Sequence, residues 1–433
     1  MKKKTIIAIT VIASLILLMH SCTNNYFDQE RYEDIMNEVF PVDIIDKDHD
    51  WNLVKNITAV VNLSSAPSAE YVVNIYDKKP TDPSARKLTT GAVNGEEVFK
   101  ISVPKDLTYK ELYVTAVDGS QCVVDGYYPV SNDAIKVTPS GSVTTLTATP
   151  DVPPLEFTFC FEETFPEGGD FDFNDCVMGV SIEKSPKALN KEGNYLDITV
   201  RLRAVGGYKT MASAMRLVGI DKYDIEDSLM VLKKGWGFFN YAVDYLEDPL
   251  GKMKTAKNGD AVINLFNDAH FALNGGRLDG TGTMVPHFTI NTDPKTENTE
   301  WEKATPVSST YRISFNNTDA FNDFNLRDVD LFIITGYGMA YYETHSPAFI
   351  GINAIKDYPC QITYMPWALL IPDVFRYPNE GISICKYTKD LNLFEGAYQL
   401  GIYSFGSWAR DHTNTKTWSW FRYPLNSEVY PAN

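Results

Sequence analysis

The sequence predicts a mainly β protein: a small immunoglobulin-like β-sandwich followed by a larger β-sandwich or jelly-roll-like domain. Three observations lead there. Period-two alternation of apolar and polar residues recurs along most of the 433 residues. The chain carries 25 Tyr and 23 Phe, residues that favour strands. Strand patterns do not alternate with long helical ones, which argues against a nucleotide-binding α/β fold.

At the N-terminus, Lys2 to Lys4 precede an uncharged run from Thr5 to Met19, and His20, Ser21 and Cys22 follow. A basic start, an apolar stretch and a small residue before the cut describe a secretory signal peptide over residues 1–21. The apolar run is shorter than the roughly 20 residues of a spanning helix, so it reads as removable. Leu18 to Cys22 resembles the lipobox of bacterial lipoproteins. That likeness implies a mature chain beginning at Cys22 and carrying acyl chains, of palmitate type, on that cysteine. No later segment reaches 18 consecutive apolar residues, so lipid would be the membrane attachment.

Residues 22–55 read as a polar tether with a short helix from about Asp28 to Val39, since Tyr32, Ile35, Met36 and Val39 fall at helical spacing before Pro41. From 56 to 150 the period changes to two. Ile57, Ala59, Val61 and Leu63 share one face; Tyr71, Val73 and Ile75, then Phe99, Ile101 and Val103, then Leu112, Val114 and Ala116 repeat the pattern. Asp118-Gly119 should close a hairpin onto Cys122 to Tyr128. Such short strands suit a small sandwich, and Thr145 to Pro154 reads as the linker after it. In residues 155–430, Leu196, Ile198, Val200 and Leu202 alternate with charged or polar neighbours, giving a strand with one wet face. Tyr311, Ile313 and Phe315, and Leu331 to Ile334, give further strands. Met211 to Val218 reads as a helical turn.

The formal net charge is −17. Cleavage before Cys22 would make the chain more negative still by removing Lys2, Lys3 and Lys4. Such acidity disfavours nucleic acid and anionic lipid headgroups as partners and suits divalent cations. Beyond Cys22, the cysteines are Cys122, Cys160, Cys176, Cys360 and Cys385, without a C-x-x-C pair or zinc spacing. Cys160 and Cys176 either bridge a hairpin or stay free. None of His49, His270, His287, His345 and His412 lies in H-E-x-x-H, and there is no nucleophile elbow, Walker A loop or G-x-G-x-x-G. No catalytic residue is assigned and an enzyme is not expected. Glu343 and His345 share a strand face, which reads as a structural pair before a metal site. A polysaccharide hydrolase, needing only two carboxylates on a cleft, ranks last among the functional readings.

The most distinctive string runs from Phe161 to Asp175, FEETFPEGGDFDFND. In extended backbone Asp170, Asp172 and Asn174 would face one way and Phe171 and Phe173 the other, with Asp175 at the following turn. Hard oxygens gathered beside Gly168-Gly169 suit calcium, which takes roughly 6–8 oxygen ligands. The EF-hand pattern fails, because its glycine position holds Asp175 and its closing glutamate position holds Ser181. A β-type Ca2+ site remains, with Asp170, Asp172, Asn174 and Asp175 as ligands and Glu162 or Glu163 as additions. The competing reading makes these residues turn caps.

This string resembles the signature of the LruC-domain family: a Phe-Glu start, a proline, then glycine before Asp-aromatic-Asp-Phe-Asn-Asp. Glu343 to Pro347 is similar to the family's Glu-Ile-His-Leu-Pro element in altered form, and Met365 to Pro372 to its Pro-Trp-Ala-Leu block. Asp48 to Asn52 resembles an element that precedes the first sandwich in relatives. The likeness spans about Leu155 to Tyr430 and implies a cell-envelope lipoprotein of Bacteroides type, without implying an activity. Asp227-Ser228-Leu229 resembles the O-glycosylation acceptor of such bacteria, at Ser228. Trp408, Trp418 and Trp420 cluster near the C-terminus, either as a platform for a sugar ring or as core. The expected function is structural or adhesive, at the outer membrane and facing the periplasm or the medium, with a glycan or protein ligand. A carbohydrate-binding accessory protein is the runner-up.

Overall fold

Alternation writes the first sandwich. Strand β1 (Val54–Asn62) turns Ile57, Ala59 and Val61 inward, pairs antiparallel with β4 (Glu96–Pro104) and, at its other edge, parallel with β7 (Ala134–Val137). The opposing sheet runs β3 (Lys87–Val93), β2 (Tyr71–Tyr76), β5 (Glu111–Asp118), β6 (Gln121–Pro129) and β8 (Thr144–Thr145). Tyr71, Val73 and Ile75 from this sheet meet Phe99, Ile101 and Val103 from the first in one core. The Asp118-Gly119 turn sits where expected, with Asp118 opposite Gln121. Gly119 takes φ 57°, a left-handed conformation that costs glycine little. This is a computed structural model. It describes residues 45–431 except 47, 69, 120, 140, 142, 146–149, 166–168, 188–192, 226–230, 233–252, 256–259, 275–276, 279–283, 286–288, 295–301, 338–339, 350–364 and 389–403. The expected helix at 28–39, Cys22 and Ser228 lie outside the described residues.

The larger sandwich follows the same logic with longer strands. One sheet contains β9 (Glu156–Phe161), β10 (Cys176–Ser185), β11 (Asn194–Ala204), β13 (Val231–Leu232), β18 (Val307–Phe315) and β21 (Ala368–Ile371), in the order β13-β18-β11-β10-β9-β21. The other contains β12 (Met211–Asp221), β14 (Met253–Thr255), β15 (Asp260–Phe266), β19 (Val329–Tyr337) and β20 (Ala340–His345), in the order β14-β15-β12-β19-β20. A small ribbon pairs β16 (Arg277–Leu278) with β17 (Met284–Val285). Leu196, Ile198, Val200 and Leu202 face Met215, Leu217, Ile263 and Leu331 across the core. Met211 to Val218, expected as a helical turn, is strand. It lies between β15 and β19 with both faces covered, so Met211 to Met215 are buried without a break and alternation disappears from the sequence.

Register settles the cysteine alternatives in favour of free thiols. Cys160 opposes Val177 and Cys176 opposes Phe161, so the two side chains leave opposite faces of their sheet. Cys122, Cys160, Cys176 and Cys385 are buried and unbridged.

Residues 42–433 pack as one unit. Val54 of the first sandwich joins the core of the second. The Ser102 hydroxyl bonds Asn325, Asn322 donates to Glu97 at 3.3 Å, and Arg422 Nε reaches Asp106 at 2.5 Å. The stretch read as a linker is laid along β3 where it is described. Lys87 donates to the Pro153 carbonyl (2.9 Å) and accepts from Leu155 N–H (3.1 Å), and Val152 packs on Tyr76, Ala85 and Tyr113.

Short helices fill the edges: α1 (Ala269–Asn274) after β15, α2 (Thr318–Asp323), capped by Asn317, and α3 (Phe405–Arg410), capped by Ser404. The last receives the N-terminal approach to β1. Asp46 N–H donates to the Ala409 carbonyl at 2.9 Å, and His412 Nδ1 meets Asp46 at 2.5 Å. His49 Nε2 donates to the Trp408 carbonyl (2.9 Å), while its Nδ1 accepts from Trp51 N–H (2.8 Å). Burial pushes His49 down to about 3 and keeps the imidazole neutral, as that pairing requires. Trp51, with φ 50°, stacks on His49 at 4.0 Å and meets Trp408 edge-on at 5.4 Å. Trp51→Ala should therefore lower stability by about 3–5 kcal/mol, with Trp51→Phe losing less; urea unfolding of both variants measures it.

Candidate metal centre

Strand β9 ends at Phe161 and β10 begins at Cys176, so the distinctive acidic string is the connection between two paired strands. Its first residue is fixed from behind: Glu162 N–H donates to the Trp367 carbonyl at 2.9 Å, just ahead of β21. Contrary to the extended geometry expected, Phe171 and Phe173 have φ 53° and 55°. Left-handed backbone is uncommon for bulky residues, costs roughly 1–3 kcal/mol each and persists where the surroundings impose it. Here Glu162 imposes it. Its Oε1 accepts from Phe173 N–H at 2.6 Å and its Oε2 from Phe171 N–H at 3.3 Å, so alternate amides converge on one carboxylate. Both phenyl rings still point inward, against Trp367 and Phe405.

That backbone redistributes the four predicted ligands. Asp170 and Asp172 join Glu162, with one oxygen from each lying within 4.8 Å of the others and Asp170 the most open of the three. Asn174 and Asp175 are not part of this trio. Asn174 Nδ2 donates to the Pro378 carbonyl (3.2 Å), and Asp175 Oδ2 accepts from Glu163 N–H (2.7 Å). Left-handed backbone at alternate residues turns successive side chains in different directions, where a flat strand would have lined them up.

More acids surround the trio. The Glu163 carboxylate accepts from the amides of Tyr208 (2.9 Å) and Lys209 (2.5 Å). Asp172 spans two segments: Oδ1 accepts from Asn174 N–H (3.2 Å) and Oδ2 from Gly381 N–H (2.8 Å). Glu380 stands beside that amide, and Ile384 N–H donates to the Phe171 carbonyl (2.9 Å), so residues 380–384 close the site. Glu380 and Gly381 escaped the sequence reading because they lie some two hundred residues from Asp172, in a stretch with no distinctive motif.

Burial is the largest cause of every acid shift here. It raises Glu162, Asp172 and Asp175 well above the usual carboxylate range, and neighbouring carboxylates raise them further. Asp170 also rises, and Glu380 is pushed up to about 7 by burial with Asp170, Asp293 and Glu163 nearby. Burying ionised groups without compensation costs several kcal/mol each, so protons or a cation must balance them. The residues fit a hard divalent ion. The trio supplies carboxylate oxygens, and Glu380 Oε2 and Asn174 Oδ1 are sealed from solvent without a hydrogen-bond partner among the described residues. Gly169 is required by the same crowding, since a Cβ there would collide with Glu162 Oε2 and lie 2.9 Å from Thr164 Oγ1.

The other predicted sites are placed elsewhere. Trp408 and Trp420 are 1% and 0% exposed and stack on each other at 5.9 Å, which rules out a sugar platform on either ring. Trp418 is half-buried; its Nε1 donates to the His412 carbonyl and the Lys105 ammonium lies over its ring at 4.7 Å. Glu343 and His345 do share a face. His345 Nδ1 lies 2.9 Å from Asp330, its Nε2 lies 3.3 Å from Glu343, and its ring stacks on Phe332 at 4.3 Å. Among the described residues no helix is long and apolar enough to cross a membrane.

A protein family described as a domain of unknown function, DUF4842, matches residues 194–418, just over half of the sequence. The chain belongs to this family. The matched stretch begins at β11, so the acidic connection lies ahead of it. A solved structure of a Bacteroides ovatus protein, described as a lipoprotein, is similar at 12% identity and a TM-score of 0.41, covering 83% of this chain and 99% of that one. No curated protein matches.

Two outcomes follow. Gly169→Ala should cost roughly 1–3 kcal/mol by overpacking, read from urea unfolding. His345 is raised to about 9: burial opposes the shift, and Asp330 and Glu343 outweigh it. A raised folded-state value gives stability that is complete below about pH 6.5 and lost as pH climbs through 9. Melting of wild type should therefore fall across that window, and His345→Gln should flatten the fall.

Proposed function

We propose that this DUF4842 chain is a lipid-anchored cell-envelope protein whose β fold is locked by calcium, and that its role is structural or adhesive rather than catalytic. The carrying observation is the meeting of Glu162, Asp170 and Asp172 oxygens within 4.8 Å of one another, inside a wider ring of buried acids. Calcium accepts six to eight oxygens in irregular geometry, and Glu163, Asp175 and Glu380 stand in reserve around the trio. An ion there would tie the β9–β10 connection to residues 380–384 through Asp172. The finer LruC assignment is supported by the Phe161–Asp175 string and the Met365–Pro372 block. The latter ends in β21, whose preceding carbonyl holds Glu162.

Anchoring rests on the sequence: Lys2 to Lys4, the apolar run and the lipobox-like Leu18 to Cys22. Acylation at Cys22 would hold the protein at the outer membrane. The experiments are direct. With free calcium at about 100 times its dissociation constant, the mature chain without its lipid should gain about 2.7 kcal/mol of stability over chelator. Asp172→Asn and Asp170→Ala should remove the gain. Equal melting of wild type in calcium and chelator overturns the cation reading. Metabolic labelling with a radioactive fatty acid should mark wild type and not Cys22→Ala.

A further inference from the structure

Where the two sandwiches meet, a cavity of about 400 Å3 opens between β1, β12, the turn after α2 and residues 347–349. It is lined by Asn52, Val54, Asn56, Val218, Arg327, Asp328, Ala348 and Phe349, and its volume lies in the range of small-molecule sites, roughly 300–1,000 Å3. It is separate from the acidic connection and shares no residue with it.

The polar groups on its wall are held in place and only partly used. Arg327 Nη2 donates to the Ala348 carbonyl at 2.7 Å, and its guanidinium lies over the Phe349 ring at 4.7 Å, with Phe349 backed by Phe159 at 6.0 Å. Nε and Nη1 of Arg327 are left without a partner among the described residues. Asp328 Oδ2 accepts from Asn325 N–H at 2.9 Å, leaving Oδ1. Asn52 Oδ1 accepts from Val54 N–H (3.0 Å) and Asn56 Oδ1 lies 3.2 Å from the Ser102 hydroxyl oxygen, and neither amide NH2 group has a partner among the described residues. For Arg327, Asp328 and Asn52 the free atom belongs to a planar side chain whose other end is already committed, so its direction is set before anything binds.

We propose that this cavity binds a neutral sugar ring. Donors from Asn52, Asn56 and Arg327 stand with an acceptor on Asp328, a mixture that suits hydroxyl groups, which donate and accept at once. Planar amide, guanidinium and carboxylate groups match the spacing of vicinal hydroxyls. The Val54, Val218 and Ala348 side chains offer C–H contact to the ring. Positive and negative charge are balanced across the wall, so a net anion such as a uronate gains from Arg327 what it loses to Asp328. The proposal does not depend on the cation reading.

Saturation-transfer NMR on the mature lipid-free chain tests it, with glucose, galactose, mannose and xylose as neutral probes and glucuronate and galacturonate as charged ones. Saturable transfer to at least one neutral sugar is expected. It should weaken about tenfold in Asn56→Leu, which removes one hydrogen bond, and vanish in Val218→Trp, which fills the cavity from a half-exposed strand position. Unchanged melting would show that both variants fold. No transfer to any neutral probe, transfer to uronates alone, or transfer that survives Val218→Trp in a folded protein would each overturn the assignment.

Discussion

The architecture of the larger sandwich turns on one carboxylate. Glu162 leaves the end of β9, is fixed at its backbone by the Trp367 carbonyl, and gathers the amides of Phe171 and Phe173. Without that acceptor, two bulky residues would have no reason to hold left-handed backbone. With it, their rings are delivered to the aromatic core, and Asp170 and Asp172 are brought back over Glu162 itself. The arrangement stores like charge in a buried place, and the concentration of acid is a direct result of the hydrogen bonds that shape the loop. Neutralising it and shaping it are one problem.

A second constraint is that the parts of this protein brace one another. The Val54 side chain leaves the first sandwich for the core of the second, Lys87 pins residues 153–155, and Arg422 returns to Asp106. Such contacts explain why cavities with polar walls occur at the seam: two rigid sheets meeting at their edges cannot fill all the space with apolar side chains. The seam is also where uncommitted hydrogen-bonding atoms survive at no conformational expense.

Much of the strand layout was legible in the sequence, because a strand with one wet face shows its period. Ile57 to Leu63 and Leu196 to Leu202 behaved as their alternation indicates. Met211 to Val218 did not, since a central strand covered on both faces loses its period. The acidic string was legible as chemistry and misread as geometry. Asp170 and Asp172 were found, whereas the backbone reversal at Phe171 and Phe173 depends on Glu162 and has no local signal. Glu380 was invisible for a simpler reason: its closeness to Asp172 is a property of the tertiary fold alone. The tryptophans show the opposite limit. A cluster of rings in sequence announces either a surface platform or a core, and only the partners of Trp408 and Trp420, which include Trp51 from the far side of the chain, decide between them.

That last pairing bears on how the chain matures. Trp51 and His49 are made early, but Phe405, Trp408 and the Trp408 carbonyl that complete their pocket are made more than three hundred residues later. At roughly 5–20 residues per second of synthesis, the early residues wait on the order of tens of seconds for their partners. During that interval an indole that ends with 1% of its surface exposed has nowhere to go. Vectorial emergence therefore leaves a sticky segment just ahead of β1. Until the C-terminal helix arrives, Trp51 and His49 stay uncovered, and a chain cut short before Phe405 would never bury them.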